Sequence, residues 1–231
     1  MTGAWAAVVA AWACASGCAC AGPAVRPGGA GSISNQEAAV KGSSSDELAS
    51  KLAGGAYGDL FNYAVREEAV DRVWAEPDSL ARLEAVVRDP DAPLQARFLA
   101  CEVLFDKHFV FASEVGEALV AGIYADALRG NLTGMANSWG LLYEHDDEGP
   151  VGIRFIMMGA AAVPALRPLL DDAGTDLVYA GSEEATVGNA YHFRVKDFAA
   201  YYLGKIKRVP VAYHADVEAR DREIEALRNK L

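Results

Sequence analysis

From about Asp46 to the C-terminus, apolar residues return every three or four positions in one segment after another. That period constrains the fold more than any other feature, because a 3.6-residue stripe is buried only by packing helix on helix. "SSSDELASKL" supplies a serine cap and a helix start. In "YGDLFNYAVREEAVDRVWA", Leu60, Phe61, Ala64, Val65, Val70 and Val73 fall near one stripe. "EPDSLARLEAVVRD" enters through Pro77 and Asp78, a usual helix entrance, and sets Leu80, Leu83 and Val87 on one face. "LQARFLACEVLFDKHF" turns Leu99, Val103 and Leu104 inward, with Cys101 among them as a small buried hydrophobe rather than a nucleophile. "SEVGEALVAGIYADALRG" has a serine start and a stop at Gly130. Two shorter helices are expected in "MANSWGLLYEHDDEG" and "VGIRFIMMG", and the tail aligns Val217, Ile224 and Leu227. The expected class is all-α. At 231 residues and 52% apolar, the chain is long enough for one core or a short helical array.

One stretch breaks the helical period. "AGTDLVYAGSEEATVGNAYHF" carries three glycines, and its short β-like runs "LVYA" and "AYHFRV" flank a polar centre. A small β-hairpin-like insertion near residues 175–193 is the expectation.

The segments around this stretch repeat. Leu80 to Leu104 parallels Val163 to Leu203: Leu83 matches Leu166, Val86 and Val87 match Leu169 and Leu170, and Asp89 matches Asp172. In the second helices Arg97 matches Lys196, Ala100 matches Ala199, and Leu104 matches Leu203. Each unit is a helix ending in Asp, a turn, and a helix with a small Ala at the crossing and a Leu one turn later. These segments, and "GAAAVPALRPLLDD" above all, resemble HEAT-type α-helical repeats, including those related to the phycocyanin lyase family. The resemblance covers two units and about half of the chain beyond the linker. It implies a HEAT-like α-solenoid of antiparallel helix pairs over residues 46–231, in which each unit buries its face against a neighbour. Asp89 precedes Ala100 by 11 positions, but Asp172 precedes Ala199 by 27, so the second unit carries 16 extra residues. Solenoid loops lie on one rim and grow without disturbing the core, and long loops are often functional. Tyr179, Glu183, Glu184, Tyr191, His192 and Arg194 are therefore the candidate binding residues.

The first charged side chain is Arg26, and "MTGAWAAVVAAWACASGCACAG" before it is apolar, small or Cys, which reads as an export signal. "ASGC" resembles the lipobox of bacterial lipoproteins, in which cleavage precedes the Cys that takes the lipid; Ala15 stands where Leu is usual. This implies a signal peptide over 1–17, lipidation of Cys18, and a flexible linker over 18–45 rich in Gly, Ser and Pro. The implied address is the cell envelope, lipid-anchored on the periplasmic side, with the outer membrane favoured. The alternatives are a plain secretory signal cut at a site such as "ACA", which would give a secreted protein, and an uncleaved anchor.

The residues set few chemical options. A net charge of −11 without a basic stripe disfavours nucleic acid. "EHDDEG" gathers His145, Asp146, Asp147 and Glu148, but contiguously and without the alternation of a calcium loop. The four histidines are dispersed, with no H-E-x-x-H pair. There is no nucleophile elbow, Walker loop or dinucleotide fingerprint. No catalytic residue, metal ligand or cofactor is expected. The expected function is a protein–protein interaction or scaffold module with a partner in the envelope. The alternative is an enzyme or small-ligand protein related to the lyase-like repeats and using the 173–194 insertion.

Overall fold

The computed structural model describes residues 45–54, 58–62, 64–141, 148–181 and 183–231. The expected signal peptide, Cys18, nearly all of the linker and the acidic run through Asp147 lie outside them.

The described chain is all-α. A first helix (α1) covers residues 45–53 and buries Leu48, Ala49 and Leu52. A 3₁₀ turn at Gly58–Phe61 leads to α2 (Arg66–Trp74), α3 (Ser79–Arg88), α4 (Leu94–Lys107), α5 (Phe111–Val115) and α6 (Glu117–Arg129). Another 3₁₀ turn, Ala136–Trp139, precedes a rod of α7 (Ile153–Met158) and α8 (Val163–Leu166), with 3₁₀ turns at Gly159–Ala162 and Arg167–Asp171. Pro164 and Pro168 lie at the starts of the last two pieces. Each lacks an N–H for the α ladder, which accounts for a rod in pieces. Then come α9 (Glu183–Ala190), α10 (Val195–Lys207) and α11 (Val217–Arg228).

Consecutive elements pack in order: α3 on α4, α4 on α6, α6 on the rod, the rod on α10, and α10 on α11. Aromatic rings thread the interior. Phe98 stacks between Phe61 and Trp139, and Phe155 stacks on Trp139 and touches Tyr202. The run Ile153–Asp171 is long and apolar enough to cross a bilayer. Its Phe155, Met158, Ala162, Leu166, Leu169 and Leu170 are nevertheless buried in this core.

Several local expectations change. Leu80 is half-exposed, and the inward face of α3 is Leu83, Val86 and Val87. Asp78 takes a left-handed conformation and makes no side-chain cap bond. The expected single helix from Ser113 is two, because Gly116 at φ 119° breaks it into α5 and α6. On α11 Ile224 and Leu227 are buried but Val217 is exposed, and Arg220, one turn on, is buried in the stripe.

The two matched units agree in detail. Leu83, Val86 and Val87, and equally Leu166, Leu169 and Leu170, are buried, as are Ala100, Leu104, Ala199 and Leu203. Asp89 and Asp172 end their helices with nearly the same backbone, φ −78° ψ 111° and φ −87° ψ 106°. Each side chain accepts a hydrogen bond from the amide two residues on, Asp91 and Gly174, at 2.9 Å. The repeated Asp thus closes an Asx turn after each first helix.

The hairpin expectation is corrected. No strand occurs among the described residues, and Glu183–Ala190 is helical. Leu177 and Tyr179 are buried while Val178 and Ala180 are exposed, the alternation of a strand. The partners of this extended run are not a second strand. Tyr179 N donates to Asn189 Oδ1 at 2.7 Å, Ala180 N donates to Asn137 Oδ1 at 2.9 Å, and Ala136 N donates to Val178 O at 2.9 Å. Glu183 and Glu184 meanwhile occupy the first turn of α9, where negative charge favours a helix N-terminus.

Candidate functional site

The extra residues of the second unit form an excursion with a pinned neck. Val195 N donates to Gly174 O and Lys196 N to Asp172 O, both at 2.9 Å, so the entry to the excursion and its exit into α10 meet. The inner face is part of the core. Tyr179 is 3% exposed, and its hydroxyl contacts the carbonyls of Gly140 and Leu141. Asn189 binds the Tyr179 backbone through both ends of its amide, and Leu177 and Ala185 are buried. Asn131 Nδ2 donates to Asp176 O at 2.8 Å.

The outer face is free of these anchors. Glu183, Glu184 and Val187 are exposed on α9, whereas Ala185 and Gly188 are buried. Val187 is 49% exposed and Val178 53%. Of the six candidate residues, Glu183, Glu184 and His192 are therefore at the surface, Tyr191 is half-buried, and Tyr179 and Arg194 are buried. The two exposed valines were not anticipated. Val178 alternates with Leu177 and Tyr179, and that alternation was the available signal.

Arg194 belongs to an ion network at the foot of the excursion. Its backbone N, Nε and Nη2 donate to Asp197 at 2.8, 3.0 and 2.9 Å, so Asp197 caps α10 and pairs the guanidinium together. Asp221 lies 2.9 Å from Arg194 Nη2 and 2.8 Å from Lys196 Nζ. Desolvation pushes the Asp221 carboxyl upward, but hydrogen bonds from Arg194 and Lys196 outweigh it and hold the carboxyl below its ordinary range. Buried Arg220 lies 3.4 Å from Asp197 and over the Phe193 ring. It donates to the carbonyls of His214, Ala215 and Tyr191. This network ties α11 and the exit segment, residues 191–194, to α10. It satisfies Arg194 internally, and an Arg194–Asp197 pair is its centre.

A second cluster escaped the sequence reading. Glu102, 1% exposed on α4, lies 3.0 Å from Arg66 Nη2 and 3.8 Å from Arg154 Nε, and accepts from the Tyr124 hydroxyl. Asp106 binds Arg66 at 2.8 Å and Arg154 at 3.2 Å. Burial pushes the Tyr124 phenol well above its usual value, with the Glu102 charge adding to it. Two guanidiniums balance two carboxylates beside a cavity of about 210 Å³. The signal was present: Glu102 is the one charge in "FLACEVLF", and buried charges are paired. Neighbouring Cys101 is buried, and burial pushes its thiol well up, in keeping with a packing role.

An open groove of about 810 Å³ lies between the Gly58–Phe61 turn and the loop after α6, lined by Phe61, Asn62, Gln95, Asn131, Leu132 and Met135 among others. Among the described residues its lining offers side-chain amides and no ionisable group. Such a lining suits a hydrogen-bonding occupant.

No family model matches the chain, and it matches no curated protein and no solved structure.

Proposed function

We propose that the chain is a lipid-anchored envelope protein whose HEAT-like α-solenoid serves as a protein-binding module, with the outer face of the excursion as its recognition surface. The observation that carries this reading is that face. Val178 and Val187 are about half exposed, Val187 lies one helical turn from Glu183 and Glu184, and the same segment is anchored in the core through Leu177, Tyr179 and Ala185. Preorganised backbone lowers the entropic cost of docking, and apolar side chains rimmed by charge are the usual composition of a contact patch. The solenoid reading is supported by the order of packing and by the Asx turn that both units share. Glu183, Glu184, His192 and half-buried Tyr191 are members of the proposed patch; Tyr179 and Arg194 serve it by holding the excursion in place.

The test is a photo-crosslinker at position 187 in the native envelope, with position 118 on α6 as control. A discrete adduct is expected at 187 only. In a Val178→Asp/Glu184→Lys background it should fall about tenfold, while thermal stability changes by no more than about 1 kcal/mol, as for surface substitutions. An adduct indifferent to that background overturns the surface. The anchor has its own test. A palmitate analogue is expected to label the full chain and not its Cys18→Ala variant, and persistent label on the variant removes Cys18 as the site. Stable anchoring takes more than one acyl chain.

A second reading, a small-ligand protein, is favoured by the groove, because Asn131 both lines it and binds the excursion backbone at Asp176. Its partner would be a neutral, hydrogen-bonding ligand.

A further inference from the structure

We propose that Glu84, His108 and Glu114 form a binding site for a divalent transition-metal ion of the zinc class. The three residues come from three segments: Glu84 from α3, His108 from the end of α4, and Glu114 from α5. One ligand atom from each lies within 4.8 Å of the other two, and His108 Nε2 is 2.7 Å from Glu114 Oε2. Around a tetrahedral zinc with bonds of about 2.0–2.2 Å, ligand atoms are roughly 3.4 Å apart. Side-chain rotation therefore has to close the longest separation by at most about 1.4 Å and open the His108–Glu114 pair by about 0.7 Å. His108 and Glu114, 30% and 51% exposed, have the room to supply it, whereas Glu84 is 18% exposed and held by Arg88.

The backbone around the cluster is fixed. His108 N donates to Leu104 O at 2.7 Å, and Phe111 N donates to His108 O at 2.9 Å, so the residue is held from both sides. α5 packs on both α3 and α4, which keeps the three ligands in register. Arg88 donates from Nη1 to Glu84 Oε2 at 2.8 Å and from Nη2 to the Glu114 carbonyl at 3.3 Å. It thus spans two of the three ligand-bearing segments and orients the Glu84 carboxylate, as outer partners do around metal ligands. One imidazole and two carboxylates select zinc, manganese or iron over calcium and magnesium, which take oxygen alone. With three protein ligands a fourth position stays open to water. The cluster shares no residue with the excursion or with the Glu102 network, although His108 ends the helix that carries Glu102 and Asp106, so this site stands or falls apart from the proposed recognition surface.

The experiment is equilibrium dialysis of the full-length protein against Zn²⁺, with bound metal counted for wild type, His108→Ala and the near-isosteric Glu114→Gln. In the unprocessed chain Cys14, Cys18 and Cys20 also offer thiolates, so the readout is the difference between chains. Each variant is expected to hold one equivalent less than wild type. Zinc is also expected to raise the melting temperature of wild type more than that of either variant, because a metal that binds the folded state stabilises it. Both variants should melt like wild type in chelator, since the altered groups are partly exposed. Equal stoichiometry in all three chains, or an equal zinc-dependent shift in melting temperature, overturns the site. Loss in His108→Ala alone also overturns it, because Glu114 would then not be a ligand and the three-residue site would not exist.

Discussion

Replacing residues 175–190 with a short Gly-Ser turn is expected to melt the domain at ordinary temperature or lower its Tm by roughly 10–20 °C. The excursion is longer than its counterpart after Asp89, yet it is not a tolerated loop. The replacement removes buried Leu177, Tyr179 and Ala185, and each large apolar side chain contributes roughly 1.5–3 kcal/mol. It also removes the bonds from Ala136 N, Asn131 and Asn137 to the excursion. The Gly140 and Leu141 carbonyls lose the Tyr179 hydroxyl. Each hydrogen bond is worth roughly 1 kcal/mol, and more where a buried partner is left unsatisfied. A loss of about 5 kcal/mol or more is a large share of a domain's typical margin of about 5–15 kcal/mol. For a domain of this size about 2–4 °C of Tm goes with each kcal/mol. Circular dichroism melts of the two chains decide the matter. A deletion variant that keeps its helical signal and melts within about 3 °C of wild type means that the core closes without Leu177 and Tyr179. The Val178 and Val187 side chains, by contrast, are replaceable, which is why the recognition test changes only the outer face.

Asp197→Ala is expected to cost about 3–5 kcal/mol, the usual penalty for breaking a buried ion pair by removing one partner. Asp197 is 1% exposed and accepts three hydrogen bonds from Arg194 alone. Without it Arg194 keeps Asp221, but buried Arg220 loses the nearest carboxylate. The first turn of α10 loses its cap as well. Asp197→Asn retains an acceptor for the Arg194 amide and should lie between the variant and wild type. Urea denaturation at neutral pH is the measurement, with the slope checked to confirm that the compactness of the unfolded state has not changed. A loss of less than about 1 kcal/mol for Asp197→Ala would mean that Asp221 and water replace the carboxylate, and the network would then be a surface feature.

What was legible in the residues was whatever a local period encodes. The all-α class follows from apolar spacing, and so do the inward faces of α4 and α10. The pairing of Leu83, Val86 and Val87 with Leu166, Leu169 and Leu170 was readable as a repeat, and the Asp at the end of each first helix marked the same turn twice. The 16-residue surplus located the excursion. Its conformation was not legible. Leu177 to Ala180 alternate as a strand does, but whether such a run finds a second strand or the amide side chains of Asn137 and Asn189 depends on what lies beside it in space. The same limit hid the charged clusters. Arg66, Glu102, Asp106 and Arg154 are separated by up to 88 positions in the chain, and Arg194 meets Asp221, as Asp197 meets Arg220, only once α11 folds back on α10. A charge in an apolar stripe announces that a partner exists; tertiary packing alone decides which partner, because long-range ion pairs obey distance in space and leave no period in the sequence.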